Sequence, residues 1–164
     1  MTDAHRRYIR IETGISTVLN TIFCLLFGWI VFGGRERLPF AGADGIGVDI
    51  FPTVFMSTLM TAVALTLLTR ARLRKGAVTV MSGPPTRLPR FFLLRAIVCG
   101  LAAALAIAIP TYLALSLINP GEWTFGGMMA MKALFGAAIG LVVTPFILRA
   151  ALSDGEPGGA LGRA

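Results

Sequence analysis

FLLRAIVCGLAAALAIAIPTYLALSLI, residues 92–118, carries a single charge, Arg95. A helix crosses the hydrocarbon of a bilayer with about 20 mainly apolar residues, whereas the strands of a soluble core need far fewer. The run is therefore a membrane-spanning helix, long enough to tilt or to carry one turn past the lipid. Working outward, NPGEW (119–123) is a tight turn, and FGGMMAMKALFGAAIGLVVTPFIL (125–148) is a second span, antiparallel to the first. Upstream, IFPTVFMSTLMTAVALTLLT (50–69) and IETGISTVLNTIFCLLFGWIVF (11–32) qualify by the same measure. The fold expected is an all-α integral membrane protein: one four-helix transmembrane domain over residues 1–152, followed by a disordered tail, 153–164.

Composition agrees. The chain has 164 residues, of which 55% are hydrophobic and 14% charged; its mean hydropathy is +0.78. A soluble domain carries about 25% charged residues, so this chain lacks the polar surface that water would demand. The basic run HRRYIR before the first span resembles the start of a signal peptide, but the apolar stretch is too long for one, and a retained anchor is expected.

The net charge is +7, and its distribution carries information. Arg6, Arg7 and Arg10 precede the first span; Arg70, Arg72, Arg74, Lys75, Arg87, Arg90 and Arg95 surround the central connector; Arg149 and Arg163 follow the last span. The other two loops hold only Arg35 and Arg37, beside Glu36, Asp44, Asp49 and Glu122. Basic residues stay in the cytoplasm, so both termini and the connector are expected there, as an even number of spans requires. The basic segment 70–90 is expected to meet anionic lipid headgroups. No soluble basic module suggests nucleic acid. Arginine far outnumbers lysine, which is present only at Lys75 and Lys132; with the Ala and Gly content this fits a bacterial inner-membrane protein from a GC-rich genome.

The halves show a faint likeness. Arg7-Tyr8-Ile9 and Arg90-Phe91-Phe92 precede the first and third spans, and Met56, Leu59, Ala62 and Thr69 align with Met131, Leu134, Ala137 and Thr144. A duplicated helical hairpin is one reading; the general sameness of apolar helices is the other.

Few residues could carry chemistry. Lys132 lies about seven residues, or roughly 10 Å, inside the outer end of the fourth span. An ammonium there costs about 2.5–3.5 kcal/mol at mid-helix, so it either faces a polar site or snorkels to the interface. Asn20, Ser57 and Thr61 lie within a comparable depth range. With Lys132 they form the candidate ligand site, although Asn20 reads more readily as glue between helices. Glu12 and Arg95, both at inner span ends, are expected to pair and hold the first and third helices in register. Ala133, Gly136 and Gly140 make a small-residue face on the fourth span, matched by Gly100, Ala104 and Ala108 on the third. Packing of these two faces within one chain is expected, a homodimer seam being the alternative. Pro110 and Pro145 should kink or end their helices. Cys24 and Cys99 read as buried small hydrophobes, and His5 lies in the N-terminal tail without a second ligand nearby.

No nucleophile elbow, Walker loop, HExxH or intramembrane carboxylate pair occurs, so neither an enzyme nor a metal or cofactor is expected. Two roles remain: an accessory or assembly subunit packed against a larger membrane protein or against itself, and a small oligomeric transporter using Lys132 and Asn20.

Overall fold

The computed structural model describes residues 2–80, 89 and 91–153. It is 80% helical, and among the described residues there are four helices long and apolar enough to cross a membrane. The predicted break at Gly83-Pro84-Pro85, the connector residues Arg87 and Arg90, and the tail from 154 lie outside the described residues.

Three of the four helices outrun their apolar spans, and the third keeps the expected bounds, 92–118. α1 covers Asp3–Phe32. It begins early because Thr2 and His5 form a reciprocal cap: the Thr2 hydroxyl accepts the His5 N–H, and the His5 ring accepts the Thr2 N–H. Asp3 adds a negative charge in the first turn, where the helix dipole favours it. α2 covers Ile46–Arg74, with Asp49 in its first turn and Arg72 and Arg74 in its last. Charge thus complements the dipole at both ends, and Asp49, read from the sequence as a loop residue, belongs to the helix.

The third span has two α-helical parts, α3 (Phe92–Ala103) and α4 (Ile109–Ile118), joined by one π turn at Ala104–Ala108. The Ile109 N–H bonds to the Ala104 carbonyl, five residues back. Pro110, which has no N–H and crowds the preceding turn, follows at once, so the expected irregularity takes the form of a widened turn. The Thr111 hydroxyl donates to the Ile107 carbonyl at 2.7 Å. α5 (Phe125–Ser153) runs through Pro145 without ending.

The two short loops pair with each other. β1 (Arg37–Pro39), after α1, is antiparallel to β2 (Glu122–Thr124), before α5; Leu38 lies opposite Trp123. An exposed ion pair, Arg37 Nη1 to Glu122 Oε2 at 3.2 Å, closes this cap.

α1 packs on α5, α5 on α2, and α2 on α3 and the π turn. The first helix of each hairpin therefore packs on the second helix of the other. This order is two-fold in kind, but the registers of the two halves differ. Gly136 and Gly140 on α5 lie against the α1 backbone at Thr21 and Thr17, whereas Gly100 on α3 lies against Phe55 of α2.

That packing corrects two expectations. The Gly136/Gly140 face, with half-buried Ala133 beside it, receives α1, and neither the third span nor a second copy occupies it. A Cβ at Gly140 would sit 2.4 Å from Thr17 Cα, and one at Gly136 2.5 Å from Thr21 Cα, so only glycine permits this approach. On the third span, Gly100 packs on α2, and Ala108 is buried in a cluster with Phe40, Ile46 and Ile50. Small residues specify close approach without specifying the partner.

The outer surface is apolar, with Phe23, Phe27 and Trp29 on α1, Leu105 and Leu113 on the third span, and Leu134 and Phe146 on α5 all exposed. Two apolar clusters fill the ends of the bundle. One gathers Phe32, Phe40, Ile50, Val54 and Met128 beneath the strands; the other gathers Ile9, Leu65, Ala96, Ile147 and Leu148 at the end where the chain begins. Between and alongside them the buried side chains are polar.

Candidate functional site

The buried face of α1 is His5, Ile9, Glu12, Ser16, Asn20, Cys24, Gly28 and Phe32. At this spacing of three or four residues the side chains form one stripe along the helix. Half of the stripe, His5, Glu12, Ser16 and Asn20, is polar, and its contacts with polar groups of α2 and α5 form a ladder that runs the length of the bundle.

The middle rungs are hydrogen bonds between uncharged groups. Thr61 Oγ1 on α2 donates to Asn20 Oδ1 at 3.0 Å. Asn20 Nδ2 donates to the Ser16 carbonyl at 3.0 Å and lies 3.2 Å from Ser16 Oγ. Thr144 Oγ1 on α5 donates to Ser16 Oγ at 2.7 Å. Asn20 and Ser16 thereby join three helices, and in a low-dielectric interior each of these groups would be costly to leave unpaired. One turn nearer the strands, Cys24 Sγ lies 3.5 Å from Ser57 Oγ.

At the strand end stands an ion pair. The Lys132 ammonium of α5 donates to Asp49 Oδ2 of α2 and, at 2.6 Å, to Thr53 Oγ1. Thr53 in turn donates to the same Asp49 oxygen at 3.0 Å. The Phe32 ring centroid lies 5.8 Å from Lys132 Nζ, within cation–π range. The Lys132 side chain is 2% exposed and that of Asp49 20%. Lys132 therefore does not reach the surface by its stem; its countercharge comes to it. A cavity of about 220 Å³ opens beside the pair, between the end of α1 and the start of α2, and Asp49, Asp44, Arg35 and Phe32 line it.

At the opposite end Glu12 is buried and paired with Arg72 of α2. The Arg72 guanidinium lies 5.4 Å from the Tyr8 ring centroid, and Tyr8 Oη lies 3.2 Å from Thr69 Oγ1. This corrects the expected partner of Glu12: α1 meets α5 and α2, while α3 packs on the far side of α2, and Arg95 donates its Nε to the Pro89 carbonyl at 3.1 Å. Beyond Glu12, the buried His5 ring reaches the connector through Nε2, 2.9 Å from the Thr79 carbonyl. A carbonyl only accepts, so Nε2 carries the proton. Nδ1 is left to accept from Thr2, whose hydroxyl lies 2.8 Å away.

Of the four residues expected to form a ligand site, Asn20 and Thr61 are bonded to each other, Ser57 meets Cys24, and Lys132 sits toward the strands with Asp49 and Thr53. They share one ladder without converging on one point. Asp49, Thr53, Ser16 and Thr144 were not singled out by sequence reasoning. The signal for two of them was present, since Asp49 and Thr53 are spaced i, i+4 at the same end of the bundle as Lys132. Among the described residues no three His, Cys, Asp or Glu side chains come together as a metal would require.

Compared with known protein families, with curated proteins and with solved structures, the chain matches none.

Proposed function

We propose that this chain is a multi-pass protein of a bacterial cytoplasmic membrane, with its termini and basic connector in the cytoplasm. We propose further that it serves as an accessory or assembly subunit of a larger membrane complex. The observation that carries the reading is the inverted distribution of polarity. Ser16, Asn20, Thr61 and Thr144 are consumed in bonds to one another inside the bundle, while Phe23, Phe27, Trp29, Leu113 and Phe146 face outward. Such a bundle is internally cross-linked and offers its surroundings apolar helix faces, which suit lipid or the helices of a partner. The basic residues of 70–90 would sit among anionic headgroups.

The test is affinity purification in mild detergent after crosslinking in cells, with the captured proteins identified by mass spectrometry. A stoichiometric larger membrane protein, captured reciprocally from its own side, is expected; recovery of the chain alone overturns the role. Orientation is tested by fusing a reporter into the connector, where activity in the periplasm would reverse the topology.

The buried Lys132–Asp49 pair beside an open cavity favours a second reading, a small oligomeric transporter. Lys132→Met should then abolish flux in proteoliposomes while the protein remains folded. Wild-type flux in that variant removes the reading.

A further inference from the structure

We propose that Asp49, Thr53 and Phe32 form a binding site for small primary ammonium compounds, which Lys132 occupies as an internal ligand. The proposal rests on the second reading of this site, and names its ligand class.

The groups around Lys132 Nζ are those an ammonium ion requires. A carboxylate oxygen supplies countercharge, the Thr53 hydroxyl accepts at 2.6 Å, and an aromatic face lies 5.8 Å away. An ammonium has three donors and no acceptor, so carboxylate, hydroxyl and π face satisfy it without strain on the backbone. The same carboxylate belongs to the wall of the 220 Å³ cavity. Asp49 thus looks two ways, toward a lysine that is 2% exposed and toward a space that a solute can enter. A cation arriving there meets Asp49 before it meets Lys132, and the approach is lined by Asp44 and by Arg35, so the wall carries two carboxylates to one guanidinium.

Anions fit less well. Lys132 is not among the cavity's lining residues, its donors are engaged, and an anion would have to pass Asp49 to reach it. A quaternary ammonium has no N–H for Asp49 or Thr53. A primary amine has the right donors for both the carboxylate and the hydroxyl.

The experiment uses the full chain in detergent, with ethylammonium chloride as probe and with tetramethylammonium chloride and sodium chloride as controls at equal ionic strength. Thermal unfolding and calorimetric titration are the readouts. Ethylammonium should raise the unfolding temperature saturably, and neither control should. Lys132→Met, which removes the internal competitor, should bind ethylammonium about tenfold more tightly or better. The double variant Lys132→Met/Asp49→Asn leaves no unpaired charge, so it should stay folded and fail to bind. Absence of saturable binding in both wild type and Lys132→Met overturns the proposal, as does binding by the double variant equal to that of Lys132→Met. Ethylammonium binding without flux in proteoliposomes leaves the site standing and removes the transport reading. Flux of another solute without ethylammonium binding overturns the site alone.

Discussion

Lys132 and Asp49, separated by 83 positions in sequence, form an ion pair between α5 and α2, with the lysine nearly sealed from the surface and the aspartate partly open to a cavity. This asymmetry sets the cost of breaking the pair. Asp49→Asn leaves a buried ammonium with neutral acceptors and no countercharge and should destabilise by about 3–5 kcal/mol, the range for an uncompensated buried charge. Lys132→Met leaves a carboxylate that keeps its Thr53 bond and its exposure to the cavity, so it should cost less. The double variant should recover most of the loss. Chemical unfolding of the three variants in detergent checks the order; equal losses for the two single variants would contradict the asymmetry.

The α1–α5 contact depends on two glycines. Gly140→Ala places a methyl 2.4 Å from Thr17 Cα and Gly136→Ala one 2.5 Å from Thr21 Cα, forcing the helices apart at a cost of about 1–3 kcal/mol each. Gly126→Ala, at the start of the same helix with nothing within 4 Å of the new atom, should be neutral or slightly stabilising. Chemical unfolding midpoints of the three alanine variants check this: those of Gly140→Ala and Gly136→Ala should fall and that of Gly126→Ala should not.

Hydroxyls on α2 divide into bonded and unbonded. Thr61 bonds to Asn20, whereas the buried hydroxyls of Thr58 and Thr66 have no partner among the described residues. Thr61→Val should cost about 1–3 kcal/mol by orphaning the Asn20 carbonyl. Thr58→Val and Thr66→Val remove an unsatisfied polar atom at constant shape and should be neutral or stabilising. Unfolding midpoints of the three variants, measured side by side, decide the matter.

Where α1 begins, His5 bridges its own cap and the connector carbonyl at Thr79, and Glu12 holds Arg72. His5→Ala should fray the first turns of α1 and free the residues around Thr79. Glu12→Gln should loosen the next turn while leaving the centre of the bundle intact. Hydrogen exchange should rise by about tenfold in those segments, corresponding to about 1.4 kcal/mol, and stay unchanged around Asn20.

The four apolar lengths, the tight turn before α5 and the irregularity near Pro110 were legible in the sequence, because each is a sum of local tendencies over one stretch of chain. What only the tertiary structure decided is who meets whom. Gly136 and Gly140 admit any helix backbone, and it is the fold that brings them α1 instead of the third span. Glu12 could have reached any basic side chain at its depth, and the order of packing hands it Arg72. Asp49 reads as a loop residue until α2 begins at Ile46 and turns it toward Lys132. Apolar faces attract one another without preference, so helix order and rotation are settled by the joint packing of every neighbour, which no single stretch of sequence contains.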